Sequence, residues 1–236
     1  MSPDPADDLQ QRARLVSMVA HELRGPISTI KGLAVTSRTY YDQLPDDEKR
    51  EFLSLIEQES NRMLELVNQA SLAMKLSAGV LPTHRGPADL AAIVREGVGA
   101  AGLGPGRSLD LDLADVTIEG DRTQLVQVVR QVMQNAGAYS PADEPIAVTV
   151  RHEGDHAIVE IVDQGPGIPD EQREHVFTTF PNWRPKGYEE VQGAGLGLFI
   201  SRALVSEHHG EMSIEDAPGG GTMLRIRLPL KGTASE

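Results

Sequence analysis

A heptad pattern of apolar residues near the start of the chain constrains the fold more than any other feature. One inner position of the heptad is occupied by Leu9, Val16, Leu23 and Ile30, and the other by Val19, Pro26 and Leu33. Such a repeat places one stripe of a helix against a partner helix. The same register puts His21 on the solvent-facing side, with Glu22 as the nearest base. We therefore expect a long helix over residues 8–41, kinked at Pro26, which removes a helical N–H.

A second amphipathic segment begins near Asp46, after the turn at Pro45, with acidic residues in its first turn. Its apolar stripe, which Glu59 interrupts, consists of Phe52, Ile56, Met63, Leu66, Ala70 and Ala73, supported by Leu55 and Val67. Two such helices form an antiparallel hairpin that cannot bury both stripes alone. We therefore expect a homodimer in which two hairpins form a four-helix bundle. A coiled-coil stalk without a catalytic role is the alternative that this half leaves open.

Composition excludes several classes of protein. The 236 residues carry a net charge of −13, from 35 acidic and 22 basic residues, which argues against nucleic acid as the main ligand. No Cys is present, so disulfides and thiolate metal sites are excluded and a reducing compartment is permitted. The predicted location is the cytoplasm. No apolar run approaches the ~20 residues of a membrane span, and residues 1–4 do not resemble a signal peptide. Backbone amides and a few local bases can still bind a phosphorylated small molecule.

The chain divides into residues 1–80, the hairpin, and residues 81–236, which form a second domain of strands and helices. Predicted strands cover residues 108–113, 116–119, 146–152, 157–162, 211–216 and 222–228. Predicted helices cover residues 89–101, capped by Asp89, 121–138, capped by Asp121, and 199–208. Strict βαβ alternation is absent, so the sequence predicts an α+β protein whose second domain is an α/β sandwich, a mixed sheet with helices on one face.

Three separated pieces of the second domain suit a nucleotide. Asp163 follows a buried strand, where its carboxylate could accept a hydrogen bond from an exocyclic amine such as that of adenine. The glycine-rich segment 193–198 precedes an apolar helix, whose N-terminal amides could bind phosphate. Asn135 offers a neutral oxygen ligand for Mg²⁺. Each has a plainer interpretation as a turn or a surface residue, and neither a Rossmann nor a Walker pattern is present.

His21 also has a plainer interpretation, since an exposed histidine on an acidic helix is commonly just solvated. A zinc motif beginning at His21 and Glu22 would need a second histidine at position 25, where the chain has Gly25. The zinc interpretation therefore fails.

The motifs together resemble those of bacterial two-component sensor histidine kinases, over residues 15–228. Residues 21–27 resemble the phosphoacceptor box, 131–140 the asparagine box, 163–168 and 193–198 the two glycine boxes, and Gly221-Thr222 the pair before the final strand. Val176, Phe177 and Phe180 resemble the phenylalanine box, within residues 170–192, where the family has a mobile ATP lid. The resemblance implies nucleotide binding by Gln131, Asn135, Tyr139, Asp163, Gly165, Gly167, Ile168, Gly193, Gly195, Leu196, Gly197, Leu198 and Thr222.

The resemblance further implies an ATP-dependent, autophosphorylating protein-histidine kinase of the GHKL-type ATPase fold, with ATP and Mg²⁺ as cofactors. His21 would accept the γ-phosphoryl group, assisted by Glu22, with Mg²⁺ held by Asn135, and would pass it to an Asp on a separate response regulator receiver domain. A non-catalytic scaffold or phosphotransfer protein is the first alternative. An ATPase of the gyrase, mismatch-repair or chaperone kind is the second, and the histidine-bearing hairpin argues against it.

Three positions depart from the family pattern. Gly25 stands where Thr or Asn is usual, which predicts weak phosphatase activity. Gln131 replaces the first Asn of the asparagine box, and Ala138 replaces a Lys that commonly meets the phosphates; Arg184 or Lys186 of the lid could supply that charge. No sensor domain is apparent in the sequence, so input is expected from another segment or another protein.

Overall fold

The structure, a computed structural model, describes residues 5–104, 106–178, 183–191, 193 and 195–230. The chain separates into two compact units, Met1–Ala78 and Gly79–Glu236. The division thus lies between residues 78 and 79, where the sequence suggested 80 and 81.

The first unit is a hairpin of two long helices, α1 (Pro5–Thr39) and α2 (Asp46–Ser77). Helix α1 continues through Pro26, and the kink expected there stays a prediction. Pro45 is the N-cap of α2, and acidic residues in the first turn together with Lys75 in the last turn complement the helix dipole. None of the helices that the structure describes combines the length and apolar composition of a membrane span.

The hairpin buries only part of its apolar surface. The apolar stripe predicted for α2 is buried in its C-terminal half, at Leu66, Ala70 and Ala73. Val16, predicted to lie on the inner stripe of α1, is instead 61% exposed, and Val67 is 48% exposed. Each helix of a two-helix hairpin can cover only one side of the other, so these side chains have no partner within the unit. The side chain of Leu9 lies outside the described part of the chain.

The second unit contains seven strands and four α-helices among its described residues. The strands are β1 (Gly86–Asp89), β2 (Leu109–Leu113), β3 (Thr117–Gly120), β4 (Ile146–Glu153), β5 (His156–Val162), β6 (Glu211–Asp216) and β7 (Thr222–Pro229). The helices are α3 (Leu90–Ala100), α4 (Arg122–Tyr139), α5 (Asp170–Arg173) and α6 (Gly197–Glu207), and a 3₁₀ turn spans His175–Phe177.

A mixed five-stranded sheet, in the order β2-β4-β5-β7-β6, forms one layer of this unit. Strand β2 pairs parallel with β4, and the other pairs are antiparallel. The remaining strands, β1 and β3, form a separate antiparallel pair, so the single sheet expected from the sequence is in fact two.

Alternation along the strands explains the two-layer arrangement. Ile146, Val148 and Val150 of β4 are buried, as are Leu224, Ile226 and Leu228 of β7, whereas the residues between them are more accessible. One face of the sheet therefore packs against apolar helices. Helix α4 contributes Leu125, Val128, Val129, Val132 and Met133, and α6 contributes Ile200, Leu204 and Val205. The α/β sandwich predicted from the sequence is confirmed.

Candidate nucleotide and phosphoacceptor sites

His21 lies in the middle of α1 and its side chain is exposed. Glu22 follows it and is half-buried, and no hydrogen bond joins the two side chains in the described structure. His21 thus lies on the accessible side of the helix, as the heptad register predicted. Gly25, one turn later, is also exposed, and a Cβ there would have no atom within 4 Å.

Helix α4 carries the asparagine box, and its start is fixed by Asp121, whose side chain accepts a hydrogen bond from the Gln124 amide (3.2 Å). Asn135 and Tyr139 are half-buried near its end, and Ala138 is exposed. Within the part of the chain that the structure describes, the Asn135 carboxamide has no hydrogen-bonding partner. A free, partly accessible carboxamide oxygen is compatible with the predicted Mg²⁺ ligand.

Gln131, one turn before Asn135, is 2% exposed. Its Oε1 accepts a hydrogen bond from the Ser201 hydroxyl of α6 (2.9 Å), and its Nε2 is buried without a partner. The longer arm of Gln at this position thus reaches α6. Sequence reasoning missed Ser201, which carries no signal of its own within the apolar helix α6. Direct contact between Gln131 and a nucleotide stays a prediction.

Asp163 stands just beyond the end of β5, and its own backbone N–H donates to the Thr222 carbonyl (2.9 Å). Its Oδ1 accepts hydrogen bonds from the backbone amides of Gly165 (2.8 Å) and Thr222 (3.3 Å). These bonds hold the carboxylate in one orientation, as the predicted adenine-binding role requires. They also bring Thr222, predicted from a distant part of the chain, to the same site.

Burial raises the pKa of the Asp163 carboxyl above its ordinary value. The Gly165 and Thr222 amides and the Thr222 hydroxyl act in the opposite direction, because they favour the ionised form, but burial outweighs them. Partly desolvated carboxylates of this kind are frequent at functional sites, which agrees with the role predicted for Asp163.

Two glycines around Asp163 are required by close backbone approach. A Cβ on Gly165 would come within 2.9 Å of the Tyr139 carbonyl oxygen, and Gly221, at φ +91°, has no room for one because the Asp163 carbonyl lies against it. Gly167 (φ +74°) and Ile168 continue the turn, and Ile168 is half-buried. The Gly221-Thr222 motif therefore packs directly against the turn of the first glycine box.

The second glycine box leads into α6, which begins at Gly197, two residues before its predicted start. Gly195 has φ +66°, Gly193 is exposed, and Leu198 is half-buried. Leu196 is fully buried in the core. Its side chain therefore anchors the segment, and only its backbone is left for the predicted contact with a nucleotide.

Part of the predicted lid is described, and Arg184 is its main anchor. The guanidinium donates to the carbonyls of Val191 and Gly193 (2.8 Å for the latter) and to the Tyr139 hydroxyl (3.4 Å). The rings of Tyr139 and Tyr188 lie 5.7 Å apart. Lys186 is exposed. Val176 and Phe177 are buried, and Phe180 lies outside the described residues.

A polar cluster at the start of α4 was not anticipated. Asp121 accepts a hydrogen bond from the His84 amide (2.8 Å), and the Asp121 amide donates to Nε2 of the buried His208 (2.8 Å). The other ring nitrogen of His208 lies 2.7 Å from the Leu204 carbonyl, so it carries the proton and the imidazole is neutral. Sequence reasoning assigned Asp121 as an N-cap but had no signal for its partners.

Two family models match the chain. The model described as "His Kinase A (phospho-acceptor) domain" matches residues 11–79, and that described as "Histidine kinase-, DNA gyrase B-, and HSP90-like ATPase" matches residues 120–232. The fold and the motifs thus define a protein with a phosphoacceptor hairpin followed by an ATP-binding domain. The chain belongs to the sensor histidine kinase family, as its motifs predicted.

Individual relatives agree. The probable sensor histidine kinase TcrY of Mycobacterium tuberculosis is 30% identical over 222 residues, which are 93% of this chain and 46% of TcrY. A structure of the mycobacterial sensor histidine kinase MprB, 28% identical, covers 62% of this chain and 97% of that one with a TM-score of 0.55. The Acinetobacter baumannii histidine kinase AdeS, at 21% identity, shares the fold over 89% of this chain and 98% of its own (TM-score 0.69). The chain spans about half or less of the length of the curated relatives it matches.

Proposed function

We propose that this chain is an ATP-dependent protein-histidine kinase in which His21 receives the γ-phosphoryl group. The observation that carries the proposal is the exposed imidazole at position 21 of α1, in a chain whose other unit holds Asp163 and Asn135 in the ATPase fold. Asp163 binds the adenine amine, and the glycine segment before α6 binds phosphate. Because ATP is the substrate, the expected compartment is the cytoplasm.

In the proposed reaction, one ring nitrogen of His21 attacks the γ-phosphorus in line. An N–P bond forms as the bond to the β,γ-bridging oxygen breaks, and ADP leaves. Glu22 accepts the proton from the other ring nitrogen, which keeps the attacking nitrogen nucleophilic. Positioning and charge neutralisation supply most of the acceleration in phosphoryl transfer. The motion that brings the two sites together is a domain movement.

Asn135 is the residue we propose as the Mg²⁺ ligand, because its carboxamide is partly accessible and free in the described structure. When bound, Mg²⁺ neutralises charge on the phosphates. Gln131, one turn before Asn135 on the same helix, is bonded to Ser201, and we propose that it also contributes to the nucleotide site.

Two partners complete the proposal. Exposed apolar side chains on both helices of the hairpin support a homodimeric four-helix bundle, with Val16 and Ile27 on α1 and Leu64 and Val67 on α2. The second partner is a response regulator receiver domain whose Asp takes the phosphoryl group from His21. Gly25 has no side chain with which to orient water, and weak dephosphorylation of that partner stays a prediction.

The test is incubation of the purified chain with γ-³²P-labelled ATP. Acid-labile, base-stable label is expected on the wild type and on His152→Ala, a matched control at an exposed histidine of β4. His21→Ala should carry no label while it retains ATP binding. Unlabelled wild type that binds ATP would favour a scaffold, and ATP turnover without label would favour an ATPase; either result refutes the kinase.

A further inference from the structure

Arg107 makes an unusual set of contacts for a residue in a loop. It lies between α3 and β2, and its guanidinium donates to four backbone carbonyls, one in the last turn of α4 and three in the residues that follow the helix. The acceptors are Gly137 (2.8 Å), Ser140 (3.1 Å), Glu144 (3.2 Å) and Pro141. The side chain thus gathers the C-terminal end of α4 and the turn after it around one cation.

The end of α4 needs such a cation. The last carbonyls of a helix have no N–H partner within it, and the helix dipole makes this end negative. Helix α4 has no basic residue in its last turn, where position 138 is Ala138. Arg107 therefore supplies from a distant loop the charge and the donors that α4 itself lacks.

The segment that Arg107 holds is the support of the candidate nucleotide site. The Ser140 hydroxyl accepts a hydrogen bond from the Gln164 amide (3.3 Å), in the turn that follows Asp163. The Tyr139 carbonyl lies against Gly165, and the Tyr139 hydroxyl accepts a bond from Arg184 of the lid. A shift of residues 139–140 would move the first glycine box and the lid anchor together.

We propose that Arg107 is a positioning residue of the nucleotide site. It holds Tyr139 and Ser140 so that the Asp163–Gly167 turn and Arg184 keep their binding geometry, without contact with the nucleotide itself. The proposal rests on the proposed ATP binding. Lys replaces Arg only in part here, because a single ammonium group keeps the charge but does not reproduce the planar fork that reaches four carbonyls.

The experiment compares Arg107→Lys and Arg107→Gln with Arg122→Gln, in the full chain. Arg122 is the first residue of the same helix, at the end far from Arg107, and it pairs with Glu96. It is a matched control because the substitution also removes one arginine contact to this unit. For each protein we would measure the affinity for a non-hydrolysable ATP analogue, the KM for ATP and the rate at saturating ATP in autophosphorylation, and the thermal midpoint. Fluorescence of Trp183, the one Trp of the chain, reports on the lid segment.

Affinity and KM should worsen by at least about tenfold in Arg107→Gln, since small displacements of positioning groups cost this order or more. Arg107→Lys should lie between it and the wild type, and Arg122→Gln within about twofold of the wild type, as for a surface substitution. The change in Trp183 fluorescence that follows nucleotide addition should differ in size between the wild type and both Arg107 variants.

Two outcomes overturn the proposal. One is wild-type affinity and Trp183 response in the Arg107 variants, even if their thermal midpoints fall, since that would show a purely stabilising role. The other is an equal loss in Arg122→Gln. If Arg107→Gln does not fold, Arg107→Lys decides by the same measurements. Failure of the proposed function is recognised separately, because the wild type would then neither bind the analogue nor become labelled.

Discussion

The helical hairpin and the ATP-binding domain differ in how much apolar surface each buries by itself. In the hairpin, large apolar side chains stay exposed along both helices, among them Val16, Ile27, Leu53, Leu64 and Val67. In residues 79–230, by contrast, the exposed large apolar side chains that the structure describes are Val80 and Leu111. The ATP-binding domain therefore buries nearly all of its large apolar side chains in its own core. The hairpin leaves many of them exposed, as a protein does where a partner is expected to cover them.

This difference predicts that two substitutions on α2 act on the hairpin alone. Leu64→Glu with Val67→Glu should convert the dimer to a monomer and abolish autophosphorylation, while ATP-analogue affinity stays unchanged. A buried Leu or Val contributes roughly 1.5–3 kcal/mol, and a symmetric dimer buries each twice, so association should weaken by more than about a thousandfold. Analytical ultracentrifugation measures it. Leu111→Glu, at an exposed leucine of the other unit, is the control, and a dimer that survives the double substitution would refute the comparison.

The ATP-binding domain should be sensitive instead to backbone packing. Gly221→Ala adds a Cβ that overlaps the Asp163 carbonyl at a positive φ, so we expect a loss of roughly 2–4 kcal/mol in the free energy of unfolding of this domain. Gly220→Ala is the matched control: its φ is +107°, but a Cβ there meets nothing within 4 Å. Denaturant unfolding of the two variants separates overlap from φ strain. Equal losses would show that the overlap is relieved without cost.

Local rules predicted most of this fold. Asp89 and Asp121 were assigned as N-caps and do accept hydrogen bonds from Ala92 and Gln124, because capping depends on residues three apart. The strands of the main sheet were likewise predicted from the sequence, to within one residue at each end. Asp163 was placed at a strand end, and the resemblance added Thr222, which the structure brings to it.

What sequence reasoning missed depends on contacts between distant segments. Nothing near Arg107 in the sequence indicates the carbonyls of α4, and nothing near His208 indicates Asp121. Gln131 was expected at the nucleotide, yet its side chain bonds to Ser201, seventy positions along the chain. Val16 differs for another reason: the heptad pattern predicts a stripe that a partner chain covers, and a single hairpin leaves it exposed.

Within the ATP-binding domain, binding and stability should separate at Asp163. Asp163→Asn keeps an oxygen for the Gly165 and Thr222 amides but loses the charge that burial disfavours. We expect the free energy of unfolding to stay within about 1 kcal/mol of the wild type, or to rise. Affinity for ATP should fall at least about tenfold, since a hydrogen bond to a charged group contributes roughly 1.5–3 kcal/mol. Calorimetry measures binding, and Asp112→Asn, on the exposed part of β2, is the control. Unchanged affinity would remove Asp163 from the site.

The smallest effect is expected from pH and should also be confined to the ATP-binding domain. Burial lowers the pKa of His208, and Arg85 lowers it further, while the bond to the Leu204 carbonyl and the charges of Asp121 and Glu207 oppose them. The unfolded chain therefore binds more protons than the folded one below the ordinary histidine pKa of about 6.5, and stability falls as pH decreases through that value. One proton limits the slope to about 1.4 kcal/mol per pH unit.

Denaturant unfolding of the ATP-binding domain between pH 5 and 7.5 measures this slope. His208→Gln should flatten it, because the folded state then has no buried imidazole to keep neutral. Asp163 acts in the opposite direction: its raised pKa means that the folded state binds more protons than the unfolded one above about pH 4, so stability falls as pH rises there. In the Asp163→Asn variant that contribution is absent, so the rise in stability with pH that is due to His208 should be steeper. If the pH dependence persists in His208→Gln, it belongs to another group. If the unfolding transition of the hairpin shows the same pH dependence, the effect is not confined to the ATP-binding domain.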